Sequence, residues 1–200
     1  GVYVEDSTSV LTSDELTYFR NDGHSIATGG VTLRGRRSAI TITGNRFEGF
    51  RERRYSRMSE HPRLVQIDTS GDGTRDTLVV TSGVMESYQD SLERLVATDS
   101  VAITRGGLAA EAGEAVFFTG IDSAELRHSP VIWYAERPGE DNQVSGDSVF
   151  LKLRKRTVET AYVRGRAFAI ARADTDFPAR FHQMSGQTII LHFAKKVVDR

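Results

Sequence analysis

Cysteine is absent from the chain, which removes a disulfide framework and any thiolate metal site from consideration. That absence suits the cytosol and equally an envelope protein that avoids disulfide chemistry, so it does not fix a compartment. Proline is scarce. Pro62, Pro130, Pro138 and Pro178 sit near strand starts or in loops, where a missing N–H costs little. Long apolar runs are missing, and nothing approaches the roughly 20 residues that a membrane-crossing helix requires. Charge of one sign is not in excess: 26 Lys and Arg stand against 27 Asp and Glu. A nucleic-acid partner normally needs a basic surplus, so none is expected. Sustained helical periodicity is missing too. Residues 13–19 and 87–96 each have room for a turn or two, but neither holds an i, i+3, i+4, i+7 stripe for longer.

Alternation of period two takes its place. Residues 39–43, 101–104, 149–153 and 189–193 set apolar side chains two apart, the pattern of a strand with one buried face. They are rich in Val, Ile, Phe and Thr, which suit a pleated, half-buried surface. The expectation is an all-β chain of ordinary soluble composition.

The strands also repeat. The clearest unit spans residues 77–105, TLVVTSGVMESYQDSLERLVATDSVAITR. Its first half places Gly or a short polar residue before an apolar or aromatic run. That half recurs as TSDELTYF (12–19), TGNRFEGF (43–50), EAGEAVFF (111–118), VSGDSVFLKL (144–153) and MSGQTIILHF (184–193). Its second half, a polar corner and then alternating apolar residues, recurs as ATGGVTL (27–33), RHSPVIWY (127–134) and VRGRAFAI (163–170), with a degenerate copy at EHPRLVQI (60–67). Gly44, Gly83, Gly113, Gly146 and Gly186 lie 30 to 40 residues apart, too unevenly for a strict solenoid. A glycine at one point of each rung lets the chain turn a corner and begin an opposite wall. The pattern predicts one antiparallel β-repeat domain over residues 1–200, built of about six two-strand rungs. Residues 194–200 stop where a returning strand should begin, and the chain opens on Gly1-Val2-Tyr3 without Met. A piece of a longer protein is therefore expected, with an open edge that invites edge-to-edge association.

The alternation of S/T-G-x-x-hydrophobic-x-aromatic with A-T-x-x-V-x-I resembles the OstA-like domain of the periplasmic lipopolysaccharide-transport proteins. Residues 80–88 with 97–103, and 144–153 with 163–170, carry the resemblance best, and it spans about 10–193. It implies a V-shaped β-taco or β-jelly-roll trough of the bacterial cell envelope, in the periplasm, with acyl chains inside. The implied partners are lipopolysaccharide or a related lipid, and other OstA-like proteins or further copies stacked edge to edge. No cofactor is implied. The lining candidates are Val101, Ile103, Phe117, Val131, Trp133, Leu151, Leu153, Phe168, Ile170, Ile189, Leu191 and Phe193. Which parity faces inward stays open where both faces are apolar, as in Val131-Ile132-Trp133-Tyr134. Strands stack about 4.8 Å apart, so six rungs predict a groove of roughly 29 Å.

Reactive chemistry is thin. Residues 68–76, DTSGDGTRD, imitate the start of a calcium loop with Asp68, Ser70, Asp72 and Asp76 as oxygen donors. The twelfth position, which wants a bidentate Glu, is Val79, and a polar hairpin turn explains the same residues. Arg51, Arg53, Arg54 and Arg57 form a basic run that suits an anionic headgroup at a trough rim, or a solvated loop. The histidines His24, His61, His128, His182 and His192 keep no metal-ligand spacing. No nucleophile elbow, phosphate-cradling glycine loop or HExxH occurs, so a binding protein is expected rather than an enzyme. A self-associating structural β-solenoid is the alternative, and a carbohydrate-active β-helix is a third reading without a catalytic constellation.

Overall fold

The alternating segments all become strands. The computed structural model describes residues 1–36, 38–69, 75–135, 142–154, 157–172 and 181–193. In the first half these are β1 (Val2–Glu5), β2 (Ser9–Ser13), β3 (Glu15–Phe19), β4 (His24–Gly35), β5 (Ile40–Phe50), β6 (Tyr55–Ser59), β7 (Arg63–Thr69), β8 (Arg75–Thr81) and β9 (Val84–Tyr88). The second half adds β10 (Arg94–Arg105), β11 (Leu108–Phe118), β12 (Ser123–Arg127), β13 (Val131–Tyr134), β14 (Asn142–Ser145), β15 (Ser148–Arg154), β16 (Thr157–Arg172) and β17 (Phe181–His192). Both stretches with a hint of helix fall on β3 or on β9, a turn and β10. Helical structure among the described residues is one 3₁₀ turn at Thr119–Ile121.

All pairings are antiparallel, and each long strand pairs differently at its two ends except β17, which among the described residues pairs with β16 throughout. The C-terminal half of β4 pairs with β2 and its N-terminal half with β3. β10 divides likewise between β8 and β9, and β16 between β14 and β15. Two walls result. Wall A contains β1, β2, β7, β8, β13 and β14; wall B contains β3, β6, β9, β12 and β15. The long strands β4, β5, β10, β11, β16 and β17 run through both.

The fold line between the walls has a repeated backbone device. In β4, β10 and β16 the register shifts between Thr28 and Val31, Thr98 and Val101, and Arg164 and Ala167. The skipped pairs are left-handed: Gly29 and Gly30 at φ +76° and +52°, Asp99 and Ser100 at +70° and +56°, Gly165 and Arg166 at +70° and +47°. Glu60–His61 and His128–Ser129 are left-handed pairs as well, each followed by a buried proline, Pro62 or Pro130. These lie in the second halves of the sequence repeat. On the facing strands stand the first halves, whose corner amides bond back to the fold line. Gly83 N–H donates to the carbonyls of Thr98 and Asp99 at 3.1 and 2.7 Å, and Asp14 N–H to those of Thr28 and Gly29 at 3.2 and 2.9 Å.

Inside, the rows of side chains run straight across the strands. The row of wall B nearest the fold line passes in register through Leu16, Ala27, Phe47, Met58, Met85, Ala97, Ala115, Leu126, Val149, Val163 and Ile189. It crosses eleven strands, so the trough is about 48 Å long, not the 29 Å obtained by counting each two-strand rung as one spacing. Leu33, Ile42, Leu64, Val80, Ile103, Ala110, Ile132 and Val144 form the facing row of wall A. Residues of both rows belong to one apolar cluster. Fully burying a Val such as Val80, Val149 or Val163 contributes about 1.5–3 kcal/mol, and this two-sided contact holds the walls together.

Candidate functional site

The rim row of wall B, one inward position further from the fold line, is where the two ends of the trough differ. In register it reads Tyr18 on the end strand, then Ser25, Gly49, Ser56 and Ser87, then Leu95, Phe117, Ala124, Leu151, Ala161 and Leu191. The N-terminal half carries hydroxyls and a bare glycine. The C-terminal half carries apolar bulk. Small side chains leave space, and a cavity of about 630 Å³ opens in the N-terminal half between the walls. Its apolar depth is formed by Leu11, Leu16, Leu33 and Phe47, and Ser25, Gly49 and Ser56 line it above. In the other half Tyr134 meets Phe193 edge to face at 5.6 Å, and the space left beside Leu151 and Leu191 is about 20 Å³.

The mouth of the larger cavity lies between two pinned turns. On wall A, Asp6 accepts hydrogen bonds from Thr8 N–H and Ser9 N–H, both 2.7 Å, and from the Thr8 hydroxyl at 2.8 Å. Burial pushes the Asp6 carboxyl up, but those bonds together outweigh it and hold the group below the ordinary aspartate value. Arg36 clamps the same turn, 2.7 Å from Glu5 and donating to the Asp6 carbonyl at 3.1 Å. On wall B, the turn after β5 presents Arg51 and Arg54 at the lip. The amide of Arg51 donates to the Gly23 carbonyl at 3.2 Å, and the Arg54 carbonyl accepts from Gln89 N–H at 2.9 Å.

Comparison with known proteins separates fold from family. No protein-family model and no curated protein matches the chain. Among solved structures it is similar to LptH of Pseudomonas aeruginosa, the LptA-homologous periplasmic component of the conserved lipopolysaccharide transport device. The TM-score is 0.52 at 15% identity, covering 60% of this chain and 82% of LptH. The fold is LptA-like. At that identity the likeness concerns the path of the backbone.

The LptA-like frame sorts the residues expected to line the trough. Val101, Ile103, Phe117, Leu151, Ile189, Leu191 and Phe193 belong to the interior cluster or pack against it. Leu153 keeps the parity of Leu151 and is half-buried at the rim, paired with Val158. Val131, Trp133, Phe168 and Ile170 do not face inward. Ile132, Ala167 and Ala169 hold the inward parity of those strands, so their neighbours lie on the outer face, where Trp133 is 38% exposed. None of the twelve lines the 630 Å³ cavity. The residues that do, from Val4 to Gln89, lie in the half whose repeats are less regular. Their signal is the pairing of an apolar residue with a small one two positions away, as in Phe47-x-Gly49 and Ser56-x-Met58.

The arginine run also divides. Arg51 and Arg54 reach the cavity mouth, whereas Arg53 stacks over the Phe50 ring at 5.6 Å. Arg57 lies on the outer face of β6, between Glu48 and Glu86 in register. On that same face an aromatic ladder runs through Phe19, His24, Phe50, Tyr55 and Tyr88, ending under Arg94, with centroid spacings of 4.3 to 5.6 Å. Each ring covers the next, so the ladder is cross-strand packing. Of the calcium-loop candidates, Asp68 and Asp76 face each other across β7 and β8. Arg105 holds both, at 3.0 and 2.6 Å. Ser70 and Asp72 lie outside the described residues. Among the described residues no cluster of three or more His, Asp or Glu could hold a metal ion.

Proposed function

We propose that the chain is a non-enzymatic lipid-binding protein of the bacterial cell envelope that takes part in lipopolysaccharide transport or outer-membrane assembly. The observation that carries this reading is the open interior of the N-terminal half: an LptA-like trough with an apolar depth and a cavity of about 630 Å³. That volume lies within the roughly 300–1,000 Å³ of small-molecule sites. Each methylene taken from water contributes about 0.8 kcal/mol, so ten methylenes offer about 8 kcal/mol before the cost of ordering the chain. Contact of this kind is non-directional. It holds an acyl chain without fixing its position, which suits passing a lipid on better than transforming it.

The periplasm is the compartment this reading assigns, by analogy with LptH. Lipopolysaccharide or a related lipid is the cargo. The open strands at the ends of the trough, β1 and β3 at one and β17 at the other, are the surfaces proposed to meet another OstA-like protein or a second copy. They expose Tyr3, Tyr18, Met184 and Ile190 beside backbone groups that no other described strand pairs.

The packed C-terminal half favours a second reading, a scaffolding solenoid filled by its own side chains. Photocrosslinking separates the two. A benzophenone amino acid at Phe47 or Leu33 is expected to capture lipopolysaccharide in cells, and one at outward Trp133 is not. Silence at Phe47 and Leu33 alike would leave the scaffold.

A further inference from the structure

Four rim positions on adjacent strands, Ser25, Gly49, Ser56 and Ser87, are small or hydroxylic where the same row continues as Leu95 and Phe117. Packing alone gives no reason for this. An unfilled interior costs stability in proportion to the void, and the second half of the chain fills its row. The room is therefore kept for something else, and the residues around it are graded. Leu16 and Phe47 are apolar at depth, Ser25 and Ser56 supply hydroxyls one row higher, and Arg51 and Arg54 stand exposed at the mouth. Among the described residues neither guanidinium is ion-paired. The carboxylate on the opposite lip, Asp6, is occupied by its own turn through Thr8 and Ser9. The mouth thus offers two uncommitted guanidinium groups, the side chain best matched to a phosphate or carboxylate.

We propose that the N-terminal cavity is a one-ended seat for an anionic amphiphile, its acyl end against Leu16 and Phe47, its polar linkage at Ser25 and Ser56, and its phosphate or carboxylate on Arg51 and Arg54. This rests on the lipid-binding reading above and adds to it a place, a polarity and a charge. The packed C-terminal half is then the stop that keeps the amphiphile at this end. A neutral amphiphile of equal chain length fits the depth and the hydroxyl row and forgoes the arginines.

The test uses the purified chain with two probes below their micellar concentrations, dodecyl phosphate and dodecyl maltoside, titrated calorimetrically. Dodecyl phosphate is expected to bind at least tenfold more tightly, and the double variant R51E/R54E to abolish that preference while dodecyl maltoside binds as before. The variant S25L/S56L, which gives this row the side chains of the other half, is expected to weaken both probes at least tenfold without lowering the melting midpoint. S56L alone, checked by circular dichroism, serves if the double variant does not fold. Equal affinity for the two probes, or a preference surviving in R51E/R54E, overturns the charge assignment and leaves lipid binding intact. Binding undiminished in S25L/S56L and S56L overturns the location. Failure of both probes to bind the unaltered chain overturns this proposal and the lipid reading together.

Discussion

Asp147 stands against Gly165 where the chain folds from one wall to the other, and each is shaped by the other. The Asp147 amide donates to the carbonyls of Arg164 and Gly165 at 2.9 and 2.8 Å. A Cβ on Gly165, at φ +70°, would fall 2.8 Å from the Asp147 carboxyl carbon, so the aspartate occupies the space the glycine leaves. Asp14 and Gly29 repeat the arrangement. At Gly83 and Asp99 it is reversed, with glycine on the first strand and the aspartate on the left-handed one. At these three crossings the corner holds one side chain and one glycine.

Exchanging the two partners tests that rule. Gly83→Asp alone sets two carboxylates into space for one and is expected to cost about 2 kcal/mol, the usual size of overpacking. Asp99→Gly alone relieves a left-handed non-glycine residue and loses a packed side chain, for a net change of about 0.5 kcal/mol or less. The double variant G83D/D99G rebuilds the Asp14–Gly29 arrangement and is expected to recover most of the loss. Urea unfolding of all four proteins gives the coupling, and a double variant no better than G83D would show that the pairing carries no energy.

These corners were legible in the sequence because they depend on residue type at a repeated position. Gly44, Gly83, Gly113, Gly146 and Gly186 all fall where the chain passes between walls. The left-handed pairs opposite them were harder to see, since Asp99–Ser100 and His128–Ser129 do the same work as Gly29–Gly30 with unrelated side chains. Parity was beyond local pattern. Val131-Ile132-Trp133-Tyr134 is apolar on both faces, and only register against Ala110 and Val144 turns Ile132 inward. The cavity was hidden for a related reason. Ser25 and Gly49 become neighbours through pairing of β4 with β5, a relationship between distant segments that no short window of sequence contains.

The parity of β13 has a direct energetic consequence. Ile132 is 5% exposed inside the trough and Trp133 is 38% exposed outside it. Ile132→Ala is therefore expected to cost about 2–4 kcal/mol, the penalty of a cavity in a packed interior. Trp133→Ala removes the larger side chain yet is expected to cost about 1 kcal/mol or less, as surface substitutions do. Denaturant midpoints for the two variants settle the matter. A larger loss from Trp133→Ala would reverse the inward assignment and return Trp133 to the lining.

Stability should also respond to alkali through the tyrosines of the outer ladder. Burial, then hydrogen bonding to Glu86 and its charge, pushes the Tyr55 phenol well above the ordinary tyrosine value. Tyr88 is pushed up by burial and by the same carboxylate, with Arg94 opposing. A phenol whose pKa is higher folded than unfolded adds stability that is complete below about pH 10 and is lost as the pH rises toward the folded value. The folding free energy is thus expected to fall from about pH 10 upward, with Tyr55 ionising late in a tyrosinate absorbance titration. Glu86→Gln removes the carboxylate and leaves the burial, so Tyr55 should then ionise at lower pH and the alkaline loss of stability should become shallower. A Tyr55 titration unmoved by Glu86→Gln would mean that burial alone sets its proton affinity and that the carboxylate contributes nothing to the ladder.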